Sequence, residues 1–371
     1  MTSLVGSPLS GRQLIQFLRD PMALCGLSLA EWDTLLRVAR RTNLLGRLAQ
    51  GVASAGLLSS LPDVVLVHIE SAMTLVAHQR AAIEWETQHI ARAFSGFPEK
   101  VVLLKGVAYA SSGLKAAEGR LFGDVDILVP KGSVNQAEAA LMLRGWTTGE
   151  NDPYDERYYR QWMHEIPPMT HRKRGTVIDL HHNILPLTAR SSPNPALLLE
   201  ASRPLAASVF HVLSPVDMII HSATHLLYES EVQNGLRDVF DLDALLTEFA
   251  SQSAGFWDEL TERAIQLGLA NPVAVALRIA ANLLQTNSPL STRQALEDAA
   301  GLTAVQLYWL EVIYTRALMP DHPLSRAYGD GLARLAVYLR GHVLRMPAHL
   351  LMFHLGRKFL IRLFKNTSRV G

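Results

Sequence analysis

Cysteine is almost missing from this chain: Cys25 is the only one in 371 residues. That excludes an intrachain disulfide and any cysteine-based zinc cluster, and it suits a reducing compartment. An excess of one charge is missing too. Thirty-five basic side chains stand against 34 acidic ones, a formal net charge of +1, so bulk electrostatics make no case for nucleic-acid binding. No run approaches the roughly 20 uninterrupted apolar residues of a membrane-spanning helix. The start, Met-Thr-Ser-Leu-Val-Gly-Ser-Pro, has neither the basic residues nor the apolar core of a secretion signal. Low-complexity tracts and internal repeats are also lacking. The expectation is a soluble, cytoplasmic protein, with contact at a membrane surface left open.

What is present is an ordinary globular composition, 49% hydrophobic and 19% charged, on a chain long enough for two or three domains. Three regions are expected: helical over 1–95, a sheet-containing core over 96–204, and helical over 205–371. In the first, apolar residues recur at three- and four-residue spacing, with Ser28 and Ser60 as helix N-caps. Phe97-Pro98 ends that pattern. Val101-Val-Leu-Leu then reads as a buried strand closed by the turn Lys105-Gly106. Val125–Val129, stopped by Pro130, reads as a second strand, and Thr176–His181 as a third. Asn135–Arg144 is predicted as a short amphipathic helix ending at Gly145. From about 205 the helical pattern returns, and Ser214-Pro215 is a good helix start. The fold class is therefore α+β, a small mixed sheet flanked by helical regions.

Alternate residues of a strand share a face, so Asp124 and Asp126 point one way while Val125 and Ile127 point into the core. Two carboxylates so close raise each other's pKa, and a hard divalent cation such as Mg²⁺ or Mn²⁺ removes that penalty. Asp179 is a third acid between core residues. If its strand lies beside the first, three carboxylates converge, a set able to hold two metals for phosphoryl transfer.

The stretches Leu104-Lys-Gly, Arg120-Leu-Phe-Gly-Asp-Val-Asp-Ile-Leu-Val and Val177-Ile-Asp-Leu-His-His resemble the uncharacterised nucleotidyltransferase family of the DNA polymerase β superfamily. The resemblance covers roughly 95–185. It implies that Asp124 and Asp126 are the metal-binding pair and Asp179 the third carboxylate. It implies Mg²⁺ or Mn²⁺ as cofactor and a nucleoside triphosphate as substrate. Gly106 falls where that superfamily's phosphate-binding turn opens a helix, whose free N–H groups favour anions. The superfamily has Gly-Ser or Gly-Gly there, whereas this chain has Lys105-Gly106-Val107. Lys105 and Arg120 are the cations that can stand in as phosphate ligands, and His181 can line the site as a substrate contact. The acceptor, whether small molecule, protein or nucleic acid, is not named by any motif.

Other residues carry weaker signals. His182 is expected to point away from His181. His221 and His225 share a helix face at metal-ligand spacing, yet no third ligand is evident and a structural role is favoured. Arg237 and Asp241, four apart, are expected to pair along a helix, with a contact to core or substrate as the alternative. Leu335–Phe364 carries Arg340, Arg345, Arg357, Lys358, Arg362 and Lys365 among apolar residues, the pattern of a helix packed on the protein, lying on an anionic membrane or contacting a nucleic acid. Two rivals to a nucleotidyltransferase stay open. One is a degenerate, non-catalytic fold that binds a partner. The other is a glycosyltransferase using Asp-x-Asp to hold a nucleotide sugar.

Overall fold

A computed structural model describes residues 9–149 and 156–347, together with Leu350. Four helices lead: α1 (Gly11–Arg19), α2 (Leu29–Arg41), α3 (Leu45–Ser54) and the long α4 (Asp63–Ala93). Ser28 caps α2 in a reciprocal box with Glu31. Ser60, expected to cap α4, instead closes a short 3₁₀ turn, its hydroxyl bonded to the Leu57 carbonyl at 2.7 Å. Pro62 takes the cap position, because its fixed φ of −58° already leads into the helix.

The core is a seven-stranded mixed sheet in the order β3-β4-β5-β2-β1-β7-β6. Its strands are β1 (Val101–Leu103), β2 (Asp124–Leu128), β3 (Trp146–Thr147), β4 (Met169–His171), β5 (Val177–His181), β6 (Arg203–Pro204) and β7 (Phe210–Val212). Between them lie α5 (Lys105–Ser111), α6 (Val134–Met142) and a helix over Pro195–Ala201. The central strands β1, β2 and β5 are the three strands visible in the sequence. The helical pattern expected from about 205 gives way first to β7, which pairs parallel with β1. Three-residue strands are too short to display a period of two, which is why β4 and β7 leave no pattern.

Behind the sheet, the helix Pro215–Tyr228 starts at Ser214, whose hydroxyl accepts from the Asp217 N–H. Almost every residue of it is buried, since it packs against α5 and four later helices: Gly235–Gln252, Phe256–Gln266, Ala270–Leu284 and Asp330–Arg345. The N-terminal helices close onto the same body: Arg12 donates to Asn282 Oδ1 at 2.7 Å. Among the described residues no helix is long and apolar enough to cross a membrane. In the basic segment, Arg340 donates to the Leu227 carbonyl and the Tyr314 hydroxyl, and Arg345 pairs with Glu229, so both turn toward the protein. Arg357, Lys358, Arg362 and Lys365 lie outside the described residues.

Candidate active site

β2 and β5 lie side by side in parallel, and their register sets Asp126 opposite Asp179 and Asp124 opposite Val177. One carboxylate oxygen from each of Asp124, Asp126 and Asp179 lies within 4.8 Å of the other two. Asp124, at the strand's start, is exposed, and Asp179 is half-buried. Asp126 is only 3% exposed, so this carboxylate must be held by partners.

Lys105 supplies the first. It stands at the β1–α5 junction with φ +49°, a left-handed conformation uncommon outside glycine. Its ammonium reaches Asp126 Oδ1 at 2.7 Å, and the Leu104 N–H bonds the Asp126 carbonyl at 3.0 Å. His181, two residues beyond Asp179, brings Nε2 to the same Oδ1 at 3.0 Å. Burial alone would push the Asp126 carboxyl up, but the Lys105 charge and the His181 bond hold it far below the usual range. Lys105 is raised in turn: burial opposes its charge, and Asp126 and Asp124 more than restore it. Asp124 is pushed up by burial and by Asp126. Asp179 is pushed up to about 7 by burial, then by Asp126 and Glu165. Its Oδ1 is buried with no hydrogen-bond partner, and buried polar atoms without partners are rare in proteins. An all-oxygen donor set with one orphaned carboxylate oxygen fits a hard divalent cation.

The triad opens into a cleft of about 680 Å³ between the core and the turn joining Pro215–Tyr228 to Gly235–Gln252. Lys105, Gly106, Asp124 and Asp126 line its floor, and Asn43, Gln79, Arg237 and Arg345 its walls. Lys105, Gly106, Arg120, Asp124 and Asp126 are thus gathered in one cleft, with Asp179 beside them in the triad. His181 is buried beneath Asp126 and is not among the lining residues.

Arg120 is tied elsewhere. Its guanidinium pairs with the buried Asp241 and lies over the Tyr109 ring. It runs directly under Gly106, where an added Cβ would meet Arg120 Nε at 2.5 Å. The expected Arg237–Asp241 pair does not form. Arg237 bonds its neighbour Asp238 at 2.7 Å, and Asp241 instead receives Arg47 at 2.9 Å together with Arg120. Asp241 faces into the protein, where Arg47 and Arg120 reach it, while Arg237 is engaged by Asp238. His221 is buried and His225 partly exposed on one helix, and no third ligand joins them among the described residues. Burial and the Lys105 charge push His225 down to about 3, so its ring is neutral near pH 7. His182 is buried, and its N–H bonds the His164 carbonyl at 2.7 Å.

Sequence reading missed His164 and Glu165, which sit against His181, and the cleft residues Asn43 and Gln79. None lies in a motif; only the folded chain brings them near the triad.

The mixed sheet thus presents carboxylates from two adjacent parallel strands beside a polar cleft. Residues 28–285 match the family described as uncharacterised nucleotidyltransferase, and the chain belongs to that family. The match starts at the cap of α2 and ends at Gln285, the left-handed cap of Ala270–Leu284, so it takes in the whole sheet and the cleft residues named above except Arg345. No curated protein and no solved structure matches the chain.

Proposed function

We propose that this protein transfers a nucleoside monophosphate from a nucleoside triphosphate to an acceptor hydroxyl or phosphate and releases pyrophosphate. Asp124, Asp126 and Asp179 are assigned as ligands of Mg²⁺ or Mn²⁺. The observation that carries this reading is the strand register, which sets Asp126 opposite Asp179 with Asp124 on the same face. Divalent ions held there would supply Lewis-acid stabilisation of the attacking and leaving oxygens.

The chain's own residues then have distinct tasks. Asp126 is kept ionised and fixed in one rotamer by Lys105 and His181. Asp124 faces the cleft and would hold a divalent ion on the side open to substrate. Asp179, whose Oδ1 is buried without a hydrogen-bond partner, is assigned to complete the metal-binding set. Lys105 shares its charge between Asp126 and the incoming phosphates, with Gly106 allowing close approach of the backbone. Arg120, committed to Asp241, supports the Gly106 turn from below, and Arg237 is the cleft arginine assigned to phosphate contact.

The test uses labelled ATP, CTP, GTP and UTP with Mg²⁺ or Mn²⁺. Asp124→Asn is the decisive variant, because this side chain is exposed and its loss leaves no buried partner stranded. Metal-dependent nucleotide binding is expected in the wild type and its loss in the variant. Equal binding by both would sink the assignment.

One observation favours a second reading, nucleotide binding without turnover. The Lys105 ammonium already occupies Asp126 Oδ1, and the turn lacks the serine of the superfamily. Binding of every triphosphate with no pyrophosphate released would select it. The glycosyltransferase alternative has less support: it needs a nucleotide-binding α/β half before Asp124, and the described chain there has a single strand, β1.

A further inference from the structure

Beside the carboxylate triad lies a second group of different chemistry. Residues 164–166 run antiparallel to the end of β5: the Ile166 N–H bonds the Leu180 carbonyl at 3.0 Å, and Glu165 bridges to His181. This brings two imidazoles and a carboxylate together. One ligand atom each from His164, Glu165 and His181 lies within 4.8 Å of the others. His181 Nδ1 is 3.3 Å from Glu165 Oε2, and His164 Nε2 is 4.0 Å from the same oxygen.

Two features mark this as more than a chance cluster. His181 is 2% exposed, and its Nδ1 is sealed from solvent without a hydrogen-bond partner. One separation also matches a ligand pair: donors roughly 2.0–2.1 Å from a tetrahedral ion stand about 3.3 Å apart, as His181 Nδ1 and Glu165 Oε2 do, and His164 Nε2 at 4.0 Å would close in on the ion. The other ring nitrogen is already used, since His181 Nε2 bonds Asp126 Oδ1 at 3.0 Å. Metal-bound histidines characteristically donate their second nitrogen to a carboxylate, which fixes tautomer and ring orientation.

We propose that His164, Glu165 and His181 form a second metal site, for a borderline divalent ion of the zinc class. The donor set distinguishes it from the triad. Two imidazoles and a carboxylate suit Zn²⁺ and its transition-metal neighbours, whereas three carboxylates suit Mg²⁺ or Mn²⁺. Three protein ligands leave a fourth position for water or a substrate oxygen. Through the His181 ring the ion is linked to Asp126, so occupancy fixes the orientation of a triad carboxylate from behind. The site stands or falls apart from nucleotidyl transfer, because binding is read without nucleotide.

The experiment titrates chelator-stripped full chain with Zn²⁺, and with Co²⁺ as a visible probe, in millimolar Mg²⁺ to hold the triad occupied. One equivalent of Zn²⁺ and the d–d absorption of Co²⁺ in a low-coordinate nitrogen–oxygen site are expected. His164→Ala and Glu165→Gln should each weaken binding by at least roughly 10-fold, the lower bound for loss of an outer-shell partner, with circular dichroism and melting temperature checking the fold of both. Asp124→Asn should keep it. No uptake in the presence of Mg²⁺ would overturn the proposal. So would uptake that is lost in Asp124→Asn and kept in both His164→Ala and Glu165→Gln, because the ion would then sit on the triad. If zinc binds as expected while no triphosphate binds with Mg²⁺, the transfer reading fails and this one stands.

Discussion

Asp241 shows what a single buried carboxylate can hold together. It is 1% exposed and receives Arg47 from α3 and Arg120 from the loop before β2. Both guanidiniums are largely buried, with side-chain exposures of 17% and 10%. Asp241→Ala strands two buried cations, and breaking a buried pair from one side costs about 3–5 kcal/mol. Urea unfolding should show a loss of that size; a loss below about 1 kcal/mol would refute the network. Glu86 makes the matching case for pH. It is 1% exposed and accepts Arg174 Nε and Nη2 and the Thr176 hydroxyl, each at 2.8 Å. Burial opposes its charge, yet those bonds leave the carboxyl below its ordinary value. A depressed folded pKa gives stability that is complete above the unfolded value, about 4.3, and lost as pH falls through the folded one. The melting-temperature gap between wild type and Glu86→Gln should therefore be widest near neutrality and close below about pH 4. At this scale the sequence was readable where the signal is local. Asp124 and Asp126 share a face because a strand has period two, and that needs no tertiary knowledge. The partners of Asp241 were unreadable, because helical spacing favoured Arg237 while the real cations come from distant segments.

Elements follow the same division. β1 was legible as a continuous buried apolar run, and β2 and β5 as alternations of acids with core residues. The edge strands β3 and β6 have two residues each, too few for any pattern, and β7 was absorbed into an expected helical region. The parallel pairing that completes the triad was an inference only in conditional form, since nothing in either strand names its neighbour. The packing of α3 on the core was also invisible, although glycines mark it. Gly119 has φ +64°, and a Cβ there would meet the Arg47 Cα at 2.5 Å; at Gly46 it would meet the Gly119 carbonyl at 2.5 Å. These are backbone atoms and cannot step aside, so Gly119→Ala must move α3 or the turn that delivers Arg120. Strain of this kind costs about 1–3 kcal/mol. Gly132→Ala, at a position with nothing within 4 Å, should change stability by no more than about 0.5 kcal/mol. Thermal melts of the two variants side by side decide it, and an equal shift in both would remove the close-packing argument.

At the scale of the whole molecule, the helical regions do not hang from the core as independent bodies. Asn43 donates to Asn234 at 2.8 Å across the cleft, the Leu9 N–H bonds the Leu324 carbonyl at 2.9 Å, and Arg12 binds Asn282. The hydrophobic core is continuous from Leu14 in α1 through Val102 and Ile127 in the sheet to Val337 near the end of the described chain. The cleft needs all three regions, because its floor includes sheet residues, one wall is Asn43 and Gln79, and the other is the segment 229–238 with Arg345. Cutting the chain at 204 would remove β7, with its buried Phe210, and leave β1 with β2 alone and its other edge unpaired. Residues 96–204 expressed by themselves are therefore expected to lack a cooperative melt by circular dichroism. The full chain should unfold in urea with coincident transitions by circular dichroism and tryptophan fluorescence, the signature of one cooperative unit. A stable 96–204 fragment, or two separated transitions, would make the cleft a junction between bodies that fold separately. The carboxylate triad would then belong to the core alone, and nucleotide binding would be expected to survive loss of the helical walls.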